Sequence, residues 1–369
     1  MPEMPKRILI LTTGTGGGHH SSSEAIRAAI LEQDATVDVR AVDAMACFPG
    51  YNSGGDEQGY ITFTSRFRVL WKAFFEITSV FAGASNAVLE KPIFKKFTRL
   101  VNDYRPDIIV SVHPCFVGSI INCLGRMKAS TPVHTCVIDI GNPSRLWYDK
   151  RCASTYVPTE RLREKLLREG FDAGRVVHSG FPIGARFDVE QRSATREISV
   201  PNVLMVNPTL LGPEMALNMI LETLKHGVTL TVVTGSDKKL KDYLDERLSA
   251  VANLTILGYV NDMDARLSQA DVLVTKAGPN MILEAVRMRV PVLVAGHILG
   301  QEEGNGRYVE DNGYGLSCES AKDLGEGLEN LFANDYAVLR RLSVNEASCG
   351  DTDGAKTVAA HVLAALGES

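Results

Sequence analysis

The sequence predicts an α/β protein made of two doubly wound, Rossmann-like domains, and three observations carry that prediction. Short apolar runs rich in Val and Ile recur along the 369 residues, each four to six long and without polar alternation. That is the pattern of strands buried on both faces of a parallel sheet. Amphipathic stretches of helical period separate the runs, and strand, helix, strand repeated in this way is the doubly wound architecture. The alternation breaks once, in the polar segment 185–201, and the length suits two domains of roughly 100–200 residues each.

The expected strands of the first domain are 8–11, 37–42, 108–112 and 134–138. Those of the second are 203–206, 230–233, 254–257, 272–275 and 290–294. Helices are expected over 22–33, 160–169, 213–225, 239–251 and 281–289. The domains then run 1–185 and 202–354, with a linker at 186–201, and the sequence leaves open whether a last helix in 355–369 crosses back to the first domain. In open α/β sheets ligands bind at the carboxyl ends of the strands, here expected to face a cleft between the domains.

Composition narrows the class. An apolar fraction of 45% with scattered glycines excludes a disordered chain or a coiled coil. No run approaches the roughly 18–20 apolar residues that cross a bilayer, and the N-terminus does not read as a signal peptide, so a cytoplasmic location is expected. Seven cysteines at irregular spacings, with no Cys-x-x-Cys, read as reduced and mostly buried thiols. No metal ligand set and no nucleic-acid partner is expected. Charge is uneven: residues 1–185 carry 22 Lys+Arg against 18 Asp+Glu, net +4, and the remainder is net −9. The first half is therefore the half to place near something anionic.

Two motifs carry chemistry. Gly14-Thr-Gly16-Gly-Gly18-His19-His20-Ser-Ser-Ser follows the first strand and opens a helix, with the serines as expected N-caps. The spacing is not Gly-x-Gly-x-x-Gly, and two histidines stand where a dinucleotide motif needs a small residue. A histidine at the top of such a turn, with an ordinary pKa near 6.5, is suited to taking a proton from an alcohol. The alternative is a surface or capping histidine. The second motif runs Thr275-Lys276-Ala277-Gly278-Pro279-Asn280, where a strand ends in a small-residue turn and a helix starts whose amides can hold a diphosphate. Glu284, further into that helix, can accept from a ribose diol, and Gln301 and Glu302 are suited to sugar hydroxyls.

Thr-Lys-Ala-Gly-Pro, Glu284-Ala, Gly300-Gln301-Glu302 and Gly304-Asn305, together with Gly16-Gly-Gly18-His19, resemble the monogalactosyldiacylglycerol synthase and processive diacylglycerol glucosyltransferase family, relatives of the GlcNAc transferase that forms lipid II. The resemblance covers about residues 7–320. It implies a GT-B fold and an inverting, metal-independent transfer of a hexose from a UDP-sugar, which is a co-substrate and not a cofactor, to diacylglycerol or a related lipid. It implies His19 as the base. Asp139 is the second candidate, as its orienting partner or the base itself, and His20 and His113 are candidate acceptor contacts, with a buried structural role an equal alternative for Asp139 and His113. It places the donor against Gly18, Gly235, the main chain of Gly258, Tyr259 and Val260 at the uracil, Lys276 and Ala277–Asn280 at the diphosphate, Glu284 at the ribose, and Gln301, Glu302 and Asn305 near the sugar. Departures are Val206-Asn207-Pro208-Thr209 in place of a glycine-rich loop, Gly184 in place of an arginine, and His20 in place of an arginine. A soluble acceptor, or a UDP-GlcNAc 2-epimerase reaction, stays open on the residues alone.

Residues 60–105 hold 10 of the 25 aromatics, interleaved with basic residues such as Arg66, Arg68, Lys72, Lys91, Lys95 and Arg99. Phe63, Phe67, Leu70, Trp71 and Phe74 draw one apolar stripe at helical spacing. Such a basic aromatic face is either core or the face expected at an anionic lipid surface. With the resemblance, Arg66, Phe67, Arg68, Trp71 and Lys72 read as acceptor and membrane contacts of an enzyme peripheral on the inner face of a membrane. The oligomeric state is not legible.

Overall fold

A computed structural model describes residues 5–14, 17–49, 81–187, 198–208, 212–297, 302–347 and 353–367. The expectations for Arg66, Phe67, Arg68, Trp71, Lys72 and Gln301 lie outside the described residues, as does the Phe63–Phe74 stripe.

The described residues form two units, the first built from those up to 184 and again from 353 onward, the second from those between 185 and 347. The first unit holds a parallel sheet in the order β2-β1-β3-β4-β5-β6, with β1 Arg7–Thr12, β2 Asp38–Asp43, β3 Ile108–Ser111, β4 Val133–Cys136, β5 Ser154–Val157 and β6 Val176–His178. Helices α1 Gly18–Gln33, α2 Ala82–Tyr104, α3 Gly118–Met127 and α4 Glu160–Arg168 flank it, with α11 Gly354–Gly367. Every strand pair is parallel, and β1 runs in register with β2 and β3, Ile8 beside Val39 and Ile108. Leu9, Leu11 and Ile109 are fully buried under Ile93, Phe97 and Val101 of α2 and Ile120 and Leu124 of α3. Each such side chain contributes about 1.5–3 kcal/mol by leaving water. On α11, Val358, Ala359 and Val362 are fully buried. The helix lies along α1, where Gln33 Nε2 donates to Lys356 O at 3.1 Å.

The second unit repeats the design with sheet order β12-β11-β10-β7-β8-β9. Its strands are β7 Asn202–Val206, β8 Thr229–Val233, β9 Leu254–Leu257, β10 Val272–Thr275, β11 Val292–Ala295 and β12 Gly315–Cys318. Its helices are α5 Pro213–Leu224, α6 Lys238–Leu248, α7 Met263–Gln269, α8 Pro279–Arg287, α9 Asn305–Asp311 and α10 Ala321–Ala347, the last broken by non-helical backbone from Ala333 to Tyr336. Val203, Met205, Leu230 and Val274 pack with Met219, Leu244, Leu324 and Leu328 from three helices.

Three strands were not foreseen. β5 (Ser-Thr-Tyr-Val), β6 (Val-Val-His) and β12 (Gly-Leu-Ser-Cys) are short and mix polar with apolar residues, so no continuous apolar run marks them. Helix α1 also begins four residues earlier than the serines suggested. Gly17 takes φ 32° and is its N-cap, so Ser22 and Ser23 are buried inside the helix and His19 falls in its first turn. The six described cysteines are free thiols, and burial pushes Cys123, Cys136, Cys152 and Cys318 up to about 12.

Candidate active site

In the first unit the carboxyl ends of β1, β3 and β4 gather four aromatic or titratable side chains. The glycine turn after β1 delivers Gly18 and His19 as the opening residues of α1. Strand β3 runs on through Val112 to His113, whose ring nitrogen Nδ1 accepts from Cys115 N at 3.3 Å and opens a short 3-10 turn, Pro114–Phe116. The His19 and His113 rings lie 4.7 Å apart, and His19 stacks on Trp147 at 6.0 Å and 25°.

The tautomer of His19 follows from its partner. Nδ1 lies 2.7 Å from the Val112 carbonyl, which can only accept, so Nδ1 carries the proton and Nε2 the lone pair. Burial lowers the His19 pKa to about 4 against the pull of the Val112 hydrogen bond. Burial and then the neighbouring His19 hold His113 well below the ordinary histidine value. Both rings are neutral at pH 7, a correction to the ordinary value expected for His19.

Asp139 is buried just past β4 and accepts from Trp147 Nε1 at 2.6 Å. His19 is thus held by the Val112 carbonyl with the Trp147 face behind it, and Asp139 accepts from the edge of that ring. Sequence reading missed both. A carbonyl leaves no residue signal, and of the two tryptophans it was Trp71 that drew attention. His20 is exposed, its carbonyl accepting from Ser23 Oγ at 2.8 Å.

In the second unit the turn after β10 is built from Lys276 to Asn280. Ala277 N donates to Gly296 O at 2.9 Å, Gly278 N donates to Lys276 O at 2.7 Å, and Pro279 has no N–H. The expectation that the whole stretch from Ala277 to Asn280 offers amides to a diphosphate is therefore narrowed. The Lys276 ammonium stands beside this helix start, close to Gly278. Lys276 Nζ pairs with Glu302 Oε1 at 2.8 Å, and Glu302 is 3% exposed. Asn305 is buried and donates from Nδ2 to Ala277 O at 2.7 Å, while its Oδ1 has no partner among the described residues. Glu284 is buried on α8. A small recess opens beside this turn, lined by Val206, Pro208, Thr275, Lys276 and Ala295 at the ends of β7, β10 and β11.

Gly235, with φ 62°, ends β8 beside Asn207; a Cβ there would lie 2.7 Å from Asn207 Oδ1, so this glycine makes room for the loop after β7. Gly258 and Val260 are half-buried past β9, and Tyr259 between them is 75% exposed.

Residues 19–183 match the family model of monogalactosyldiacylglycerol synthase, and residues 216–357 match that of the glycosyltransferase family 28 C-terminal domain. The chain is 28% identical to the chloroplastic monogalactosyldiacylglycerol synthase of Spinacia oleracea, over 93% of this chain and 69% of that one. The chain is a UDP-sugar glycosyltransferase, similar to the monogalactosyldiacylglycerol synthases. Synthase 3 of Arabidopsis thaliana is also 28% identical, over 93% of this chain and 78% of its own. Among solved structures, MurG of Acinetobacter baumannii superposes with a TM-score of 0.60 at 14% identity, over 99% of this chain and 100% of that one. UGT71G1 of Medicago truncatula, complexed with UDP-glucose, gives 0.63 at 14% identity over 98% of both chains. With two six-stranded parallel sheets and these neighbours, the fold is GT-B, two Rossmann-like domains in one chain.

Proposed function

We propose that the chain transfers a hexose from a UDP-sugar to the free hydroxyl of diacylglycerol or a related membrane lipid, in one displacement that inverts the anomeric carbon and uses no metal ion. The acceptor class comes from the relatives, which are named monogalactosyldiacylglycerol synthases and align along 93% of this chain. The observation that carries the chemistry is the His19 tautomer. With Nδ1–H committed to the Val112 carbonyl, Nε2 is free to take the hydroxyl proton as the oxygen attacks C1. The C1–O bond to the diphosphate breaks, UDP departs with the electron pair, and the Lys276 ammonium and the amides at the start of α8 receive its charge. These groups supply what a divalent cation would otherwise supply.

Membrane association is part of the same reading. The exposed face of α2 carries Phe81 and Val88, 61% and 67% exposed, followed by Lys91, Lys95 and Arg99. Apolar residues continued by cations suit a peripheral contact with an anionic leaflet, each cation contributing about 1 kcal/mol. No helix among the described residues is long and apolar enough to cross a membrane.

The experiment pairs turnover with binding. His19→Ala is expected to lower transfer to diacylglycerol by about 10²- to 10⁴-fold with UDP affinity unchanged, and the wild-type rate is expected to survive EDTA. Equal loss of UDP binding would make His19 a donor ligand or a fold residue. Transfer to soluble acceptors alone would exclude the lipid.

A further inference from the structure

We propose that Glu302 is a positioning residue that holds the Lys276 ammonium over the N-terminal turn of α8, so that a nucleoside diphosphate meets a fixed cation there, an inference that rests on the donor-site reading above. Lys276 Nζ and Glu302 Oε1 are 2.8 Å apart, and their side chains are 26% and 4% exposed, so the carboxylate is the buried anchor and the ammonium the outward end. The lysine lies against Gly278, the N-cap of α8: a Cβ there would be in ordinary contact with Lys276 Cε and Nζ, at 3.5 and 3.6 Å.

A cation is disfavoured at this end of a helix, because the macrodipole is positive there. Left to itself, a half-exposed lysine would carry its ammonium outward to water. The buried carboxylate reverses both tendencies. Asn305 fixes the distance between the two segments, since its N–H donates to Glu302 O at 3.0 Å and its Nδ2 to Ala277 O at 2.7 Å.

Buried ion pairs are poor sources of fold stability, since apolar side chains of like volume do as well or better. What the pair accomplishes at this place is different. It sets an ammonium beside the amides of a helix start, two positive features that repel each other and jointly attract a multiply charged anion. Glu302 therefore serves the donor through Lys276, not by reading sugar hydroxyls.

Calorimetry with UDP as the probe, and uridine as the control without phosphates, tests this on the full chain. Lys276→Met and Glu302→Gln are each expected to weaken UDP about tenfold or more while leaving uridine unchanged. The double variant is expected to bind UDP no more weakly than Lys276→Met, because the carboxylate acts only through the ammonium. The double variant leaves no buried charge unpaired, so its UDP affinity is also read against the wild-type chain, with the same tenfold or greater loss expected and an unchanged affinity overturning the role, a comparison that stands even where either single variant does not fold. Lys276→Arg is expected to keep UDP binding only with Glu302 present. Unchanged UDP affinity in Glu302→Gln with loss confined to UDP-sugars, or a further loss in the double variant, overturns the positioning role. A wild-type chain that fails to bind UDP removes the donor-site reading itself, a result distinct from both.

Discussion

His19 shows how one hydrogen bond and one desolvation set a side chain's chemistry. The Val112 carbonyl chooses the tautomer, and burial lowers the pKa to about 4, so the ring is neutral and available as a base throughout the neutral range. The sign follows directly: the deprotonated form is the active one, and a lowered pKa extends its range downward. The acid limb of kcat/KM is therefore expected with a midpoint below about pH 5, not near the 6.5 of an ordinary histidine. Initial rates at pH values where the chain is folded read this limb. A midpoint at 6–7 would mean that water reaches His19 in the working enzyme. Trp147 contributes through packing, its ring stacked on His19 and its N–H held by Asp139.

At the scale of elements, close approach of backbones decides more than propensity. Edge strand β12 begins at Gly315, opposite Val292 of β11, and a Cβ there would come within 1.7 Å of Val292 O. That contact is with main chain and cannot be relieved by a rotamer change. Gly315→Ala is expected to cost about 2 kcal/mol or more and to lower Tm by roughly 5 °C or more, read by calorimetry. An unchanged Tm would mean that the edge strand shifts freely.

The same strand shows where the sequence stops being legible. Central strands such as β1, β3, β7 and β10 are buried on both faces and announce themselves as unbroken apolar runs. β12 lies at an edge and carries Ser317 and glycine where no apolar side chain is required. The helix start at Pro279 was readable from its turn residues, whereas the Lys276 to Glu302 pair joins positions 26 residues apart and follows only from how the second sheet folds. Likewise His19 stood out in its glycine turn, but its hydrogen-bond partner is a main-chain carbonyl 93 residues away, which no side-chain pattern encodes.

For the molecule as a whole, the first unit gathers histidines that its fold keeps neutral. His134, on β4, is 2% exposed, shares a 3.1 Å hydrogen bond with Tyr156, and has no partner at Nε2 among the described residues. Tyr156 in turn meets His361 of α11 edge to face at 6.0 Å. Burial and then His361 lower the His134 pKa to about 4. With His19 and His113 depressed as well, the unfolded chain binds more protons than the folded one between about pH 6.5 and 4. Stability from these groups is complete above the unfolded value near 6.5 and is lost as pH falls toward 4. Charging His134 in place costs the fold on the order of 3 kcal/mol, a penalty that is absent at neutral pH, grows below about 6.5 and is complete only below about pH 4; the partly exposed His19 and His113 cost less each. Carboxylates with depressed pKa values lose their contribution only below about pH 4–5, so Tm measured from pH 7 to 5 isolates the histidines. A steady fall in Tm across that range is expected. It should be shallower in His134→Phe, which keeps the ring against Tyr156 and removes the proton site. A Tm that stays flat from pH 7 to 5 would show that these rings gain their protons without opposing the fold.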